Sequence, residues 1–298
     1  MIIKKCLIFR NLISKKLALS NVNKYAITTI GRKLDLGYPN NRLIIQLATL
    51  VTISALIFDV ITNKYISASF VYGIKAGIST FLLWAISREI DPDHEVAAFI
   101  PVIFSLPHVI IFGLHPLFHL LWFLLVLRLV NRSTGVKAGV LDSIAILTIG
   151  AFLTYQVSWV FGMISSLGFF LDGRLSSPYR VHRIPALLLL LYSGLTLINE
   201  NIDGIMDVSL LKIVAFMLMI LLAFPLVNSK TPVISIGDRT GKRLDGQRVK
   251  ATQILAVFSV SVLILLSISA SELWLPIWII VISIGLYKVI FVDKQIRT

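Results

Sequence analysis

The chain has 298 residues, 57% hydrophobic and only 14% charged, with a net charge of +13 and a mean hydropathy of +0.88. Soluble domains carry about a quarter of their residues as charges, and no soluble core of this length hides so much apolar surface, which excludes an ordinary soluble enzyme. The basic residues flank apolar runs and do not form a patch of their own, which argues against nucleic acid as a partner, and the single cysteine, Cys6, excludes an intrachain disulfide and a Cys-based zinc site.

Residues 1–42 carry nine Lys and Arg and one acid, Asp35. They read as a basic cytoplasmic segment, with an interfacial helix on anionic lipid over the first twenty residues or a transit peptide as alternatives. From residue 43 to 292 the expectation is a transmembrane helical bundle. Apolar segments fall near 43–61, 68–87, 96–112, 115–130, 137–154, 155–171, 184–199, 208–227, 252–270 and 273–291. Runs such as residues 186–197 do not alternate in polarity, so a transmembrane barrel is excluded. The expected fold is therefore all-α, a polytopic bundle of about ten spans. Its weakest division lies at 154–157.

Lys and Arg set the orientation. With the N-terminus inside, alternation puts Arg88, Arg128, Arg132, Lys137, Arg174, Arg180, Arg183 and the basic loop 228–250 in the cytoplasm, followed by the tail 293–298. Lys64 and the acidic segment 200–207 fall outside. The expectation is N-in and C-in, in a bacterial plasma membrane or, as an alternative, an organelle membrane. The bilayer is the obvious partner, with anionic lipid at the basic loops.

Lys75 in the second span and Asp142 in the fifth are ionisable residues at depth, which are expensive there and point to a substrate or proton path. The alternative is that each snorkels to its own interface. Residues 72–78 and 134–140 share a Gly-x-Lys-Ala-Gly pattern, a candidate inverted repeat.

The stretch Arg88-Glu89-Ile90-Asp91-Pro92-Asp93-His94-Glu95 admits two readings. Asp91 and Asp93 are hard oxygen ligands suited to Mg²⁺ bridging a diphosphate, with Arg128, Arg132, Arg174, Arg180 and Arg183 available to neutralise phosphate oxygens. Alternatively, the acids cap the next helix on a solvated turn. Arg88-Glu89-Ile90-Asp91, on the cytoplasmic side after the second span, resembles the Asp-rich motif of polytopic prenyltransferases of the UbiA type. Ala85 and Ile86 or Ser87 stand where that family has its leading Asn-Asp pair. Residues 171–183 supply only Asp172 in place of its second Asp-rich loop. The resemblance implies Mg²⁺-assisted departure of a diphosphate.

His108, His115 and His119 gather near the outer ends of spans three and four, as interfacial residues or as a metal or haem site. Residues 231–251 read as a hairpin-like turn around Gly-Asp-Arg-Thr-Gly, without a P-loop pattern. Three functions fit: a small-molecule carrier, which the whole-chain architecture favours; a membrane enzyme acting on a lipid-linked or prenyl diphosphate, for which alone Mg²⁺ is the cofactor; or a non-catalytic assembly protein.

Overall fold

A computed structural model describes residues 28–63, 65–112, 114–199, 209–229, 232–266 and 271–292. The first 27 residues with their expected interfacial helix, Lys64, the acidic segment 200–207, Lys230 and the tail lie outside the described residues. The structure is all-helical, 78% helix, with no strand among the described residues.

The helices are α1 (Pro39–Asn63), α2 (Ile66–Ile90), α3 (Ile100–Phe112), α4 (Leu117–Asn131), α5 (Val140–Gln156), α6 (Trp159–Asp172), α7 (Arg183–Asn199), α8 (Leu210–Asn228), α9 (Gly246–Leu266) and α10 (Ser271–Tyr287). Short 3₁₀ turns precede α3 (Val96–Phe99) and α7 (Arg180–His182), and α10 runs into a π-helical turn, Lys288–Val292. One helix covers each apolar segment. Among the described residues, six helical stretches are long and apolar enough to cross a membrane: Pro39–Thr62, Ile66–Ile90, Arg180–Asn199, Leu210–Asn228, Gly246–Leu266 and Trp274–Phe291. Four apolar helices are shorter, Leu117–Asn131 among them. The break between α5 and α6 comes at Val157-Ser158, where the Ser158 hydroxyl accepts from Val160 N–H and caps the new helix.

The shortness of α4 goes with its place. Leu120, Trp122, Phe123, Val126, Leu127, Leu129 and Val130 are buried, so nearly its whole circumference meets protein. It packs against α2, α6 and α9, and α10 lines the same core. By contrast α1, α7 and α8 expose rows of Leu, Ile and Phe, as helices facing lipid do. Close approach uses glycine at two contacts. A Cβ on Gly73 would stand 2.7 Å from the Thr52 carbonyl of α1, and one on Gly285 of α10 would overlap the Leu222 carbonyl of α8. Hydroxyls inside the bundle donate to the carbonyl one turn back: Thr80 to Ala76, Thr154 to Gly150, Ser165 to Phe161 and Ser259 to Leu255.

Helix direction alternates. The C-terminal ends of α2, α4, α6 and α10 and the N-terminal ends of α5, α7 and α9 all meet through hydrogen bonds and ion pairs at one end of the bundle.

Candidate functional site: a buried charge network at one end of the bundle

Two carboxylates organise this end. Glu89, in the last turn of α2, is fully buried. Its Oε1 accepts from Arg128 Nε (3.0 Å) and the Ser133 hydroxyl (3.0 Å), and its Oε2 accepts from the Asn131 amide (3.0 Å). Arg32 Nη1 stands 3.8 Å from Oε1. Arg128 and Asn131 are three apart on α4, so one helix face presents both to the acid.

Asp172, the last residue of α6, is equally buried. Its Oδ1 receives Arg132 Nε (2.7 Å) and Arg248 Nη1 (2.8 Å), and its Oδ2 receives His182 Nδ1 (2.8 Å). Arg248 also donates to the carbonyls of Val130 (2.9 Å) and Ser176 (2.7 Å). Arg132 sits in the left-handed region (φ 51°) as the C-cap of α4, a costly conformation for a side chain with a Cβ. Its guanidinium is fixed there by Asp172 and the Ser177 carbonyl.

A strap formed by residues 28–32 crosses this end. Asp142, at the start of α5, accepts from the Thr28 hydroxyl, from Thr29 N–H (2.7 Å) and from the Thr29 hydroxyl (2.6 Å). The Thr29 hydroxyl in turn accepts from Gly139 N–H (2.7 Å). Arg32 makes a two-pronged bond to Asp238 (2.6 and 2.9 Å). Burial pulls the Arg32 guanidinium down, but the carboxylates of Glu89 and Asp238 more than reverse it, and its pKa is raised above the ordinary arginine value.

The acidic stretch 89–95 is not one solvated loop. Asp91, the C-cap of α2, is buried and lies 2.9 Å from His94 Nδ1 and 3.6 Å from Lys288 Nζ. Asp93 reaches another loop, accepting from Ser235 N–H (2.8 Å), the Ser235 hydroxyl (2.6 Å) and Ile234 N–H (3.2 Å). Glu95 is half exposed and takes Arg88 Nη2 (2.8 Å) and the Asn40 amide. None of these acids caps α3, whose leading 3₁₀ turn has no side-chain cap. Asp91 and Asp93 thus hold separate partners. Among the described residues no group of three or more His, Cys, Asp or Glu is placed to hold a metal ion.

The phosphate candidates divide. Arg128 and Arg132 are internal counter-ions, whereas Arg174, Arg180 and Arg183 are exposed. Lys75 is exposed on α2, and it is not among the partners of Asp142. In the loop 232–245 the expected turn forms, closed by Gly237 N–H to the Lys242 carbonyl (2.8 Å) and Leu244 N–H to the Ser235 carbonyl (2.9 Å). Its arms pair through one antiparallel bridge, Ile236 to Arg243. His119 packs edge-on against Phe161 at 5.1 Å. His108 has no described side chain.

The sequence reading missed Glu89, Asn131, Ser133 and Arg248. One signal was present. Arg132-Ser-Thr-Gly and Arg239-Thr-Gly are alike, and each ends in a glycine of positive φ (82° at Gly135, 61° at Gly241). The two turns lie against each other, with Arg239 N–H donating to the Thr134 carbonyl at 3.0 Å.

Chemically, this end holds charge in fixed pairs. Each carboxylate named at this end has a cation or backbone donors already in place. Compared with family models, curated proteins and solved structures, the chain matches none. The prenyltransferase resemblance is thus confined to residues 88–91.

Proposed function

We propose that the chain is a multi-pass membrane carrier of about ten spans, N-in and C-in, whose buried charge network is the gate on its cytoplasmic side. The observation that carries this reading is the linkage made by Glu89 and Asp172. Their ion pairs tie α2 to α4, α4 to α6 and α6 to α9, all at the same end of the bundle. Replacing a buried ion pair by apolar side chains is often neutral or stabilising, so such pairs are a poor way merely to hold helices together. They suit an element that must part and re-form, because water can take over each charge when the end opens.

Alternating helix direction supports an even number of spans. The basic residues support the orientation: Arg32, Arg88, Arg128, Arg132, Arg174, Arg183, Arg248 and Lys288 share the network's end, and Lys75 and Lys212 lie away from it. The enzyme reading has less support, since Arg128, Arg132, Asp91 and Asp93 all have internal partners. Lys75 is exposed and Asp142 is held by the 28–32 strap, so in this reading Glu89 and Asp172 are the carrier's principal charges.

The test needs no substrate. In a chain with Cys6→Ser, a cysteine at Ser79 reports on the bundle interior. Ser79 is buried, and its hydroxyl has no hydrogen-bond partner among the described residues. It stands ten residues before Glu89, or ~15 Å along α2. In sealed vesicles a membrane-impermeant thiol reagent should label it slowly from the cytoplasmic side, and at least several-fold faster with Glu89→Gln. A cysteine inert in both backgrounds would overturn the gate and favour a static assembly protein.

A further inference from the structure

Away from the charge network, an apolar groove of about 650 Å³ opens between α6, α7 and α9, within the size range of ligand sites. Phe170, Leu187, Leu190 and Phe258 line it, and each is more than a third exposed, so the groove opens sideways where lipid would lie. Its polar end is formed by Arg174 and Arg183. Arg174 stacks over the Phe170 ring at 5.9 Å, and the Arg183 stem passes close to Gly173. Neither guanidinium is in an ion pair with a described residue. The adjacent acid, Asp172, is buried and already holds Arg132, Arg248 and His182.

Length fits a single leaflet. From Met163 to the end of α6 at Asp172 the groove wall runs ~14 Å, close to half of the ~30 Å hydrocarbon core. The cations stand at the end of α6 and the start of α7, the height of a headgroup on the basic side. A free phosphate has no use for the apolar wall, and a zwitterionic headgroup gains little from two unpaired cations.

We infer that this groove is a binding site for one anionic glycerophospholipid, its phosphate on Arg174 and Arg183 and an acyl chain against Phe170, Leu187, Leu190 and Phe258. The inference rests on the bilayer reading and is independent of the gate. An arginine near a membrane surface contributes enough that loss of both should lower the preference for anionic lipid by up to roughly thirtyfold.

The experiment reconstitutes the full chain into nanodiscs of equal parts phosphatidylglycerol and phosphatidylcholine with matched chains. Lipid retained after release is then counted by native mass spectrometry. Wild type should keep phosphatidylglycerol in preference. R174Q/R183Q should lose the preference, Leu187→Trp should lower total retained lipid, and K242Q/R243Q, which removes two cations from another loop, should match wild type. Both double variants change exposed side chains and fold as controls for each other. Equal preference in R174Q/R183Q and wild type overturns the site, as does equal loss in K242Q/R243Q. Displacement by excess inorganic phosphate would show a phosphate site and overturn the lipid. A chain that stays outside the discs overturns the bilayer reading and this inference together.

Discussion

Arg128 Nε lies 3.0 Å from Oε1 of Glu89, joining the last turn of α4 to the last turn of α2 with the acid wholly removed from solvent. Each charge depends on the other. Glu89→Ala leaves Arg128 without its acid, while Arg32 keeps Asp238, and Arg128→Ala leaves a buried carboxylate with only hydroxyl, amide and a more distant cation. Each single change should cost ~3–5 kcal/mol, read as a fall in melting temperature in detergent. The double change Glu89→Leu/Arg128→Leu should recover most of that loss. A double variant as unstable as the sum of the singles would show that the pair is not a coupled unit.

Arginine at position 248 is required for its fork as much as for its charge. Its nitrogens reach three acceptors, Asp172 Oδ1 and the carbonyls of Val130 and Ser176, within 2.9 Å. A lysine has one nitrogen on a flexible stem and cannot span them. Arg248→Lys should therefore destabilise the fold by ~1–3 kcal/mol through buried acceptors left unmet. The same swap at exposed Arg243 should leave the melting temperature unchanged. Equal effects at both positions would mean that charge alone matters at 248.

The apolar runs made the helices legible, because each is a local property of consecutive residues. The break at Val157-Ser158 is legible only roughly, since the apolar pattern places its weakest division at 154–157 and α5 runs on to Gln156. Pairing was not. Glu89 and Arg128 are 39 residues apart on different helices, and nothing in either neighbourhood says that they meet. For the same reason the acidic string 89–95 reads as one unit, although its side chains go to α4, the π-helical turn after α10, the 232–245 loop and the start of α1. The apolar run starts at 137 and so suggests a charge at depth for Asp142, but α5 begins only at Val140. Asp142 stands in the first turn, on the strap of residues 28–30.

Asp93 should act as a fastener for the 232–245 loop. Its carboxylate receives two backbone N–H groups and a hydroxyl from Ile234 and Ser235. Asp93→Ala should raise hydrogen exchange at residues 234–244 about tenfold or more, the equivalent of ~1.4 kcal/mol of local stability. Asp91→Asn, which faces His94 and Lys288, should leave exchange in that loop as in wild type. Unchanged exchange in Asp93→Ala would mean that Arg32–Asp238 and Arg239–Thr134 suffice to hold the loop.

Two glycines test the packing of the helices. At Gly285 a methyl group would overlap the backbone carbonyl of Leu222, which cannot rotate away, so α8 and α10 must move apart. Gly285→Ala should cost ~1–3 kcal/mol as overpacking. At Gly194 of α7 nothing lies within 4 Å of the added methyl. There Gly→Ala leaves contacts untouched and improves helix propensity by up to ~1 kcal/mol, so the melting temperature should hold or rise. If Gly285→Ala is as well tolerated as Gly194→Ala, α8 and α10 do not approach through that glycine. The α8–α10 contact then stands without its closest point, and the place of α8 at the edge of the bundle must be redrawn.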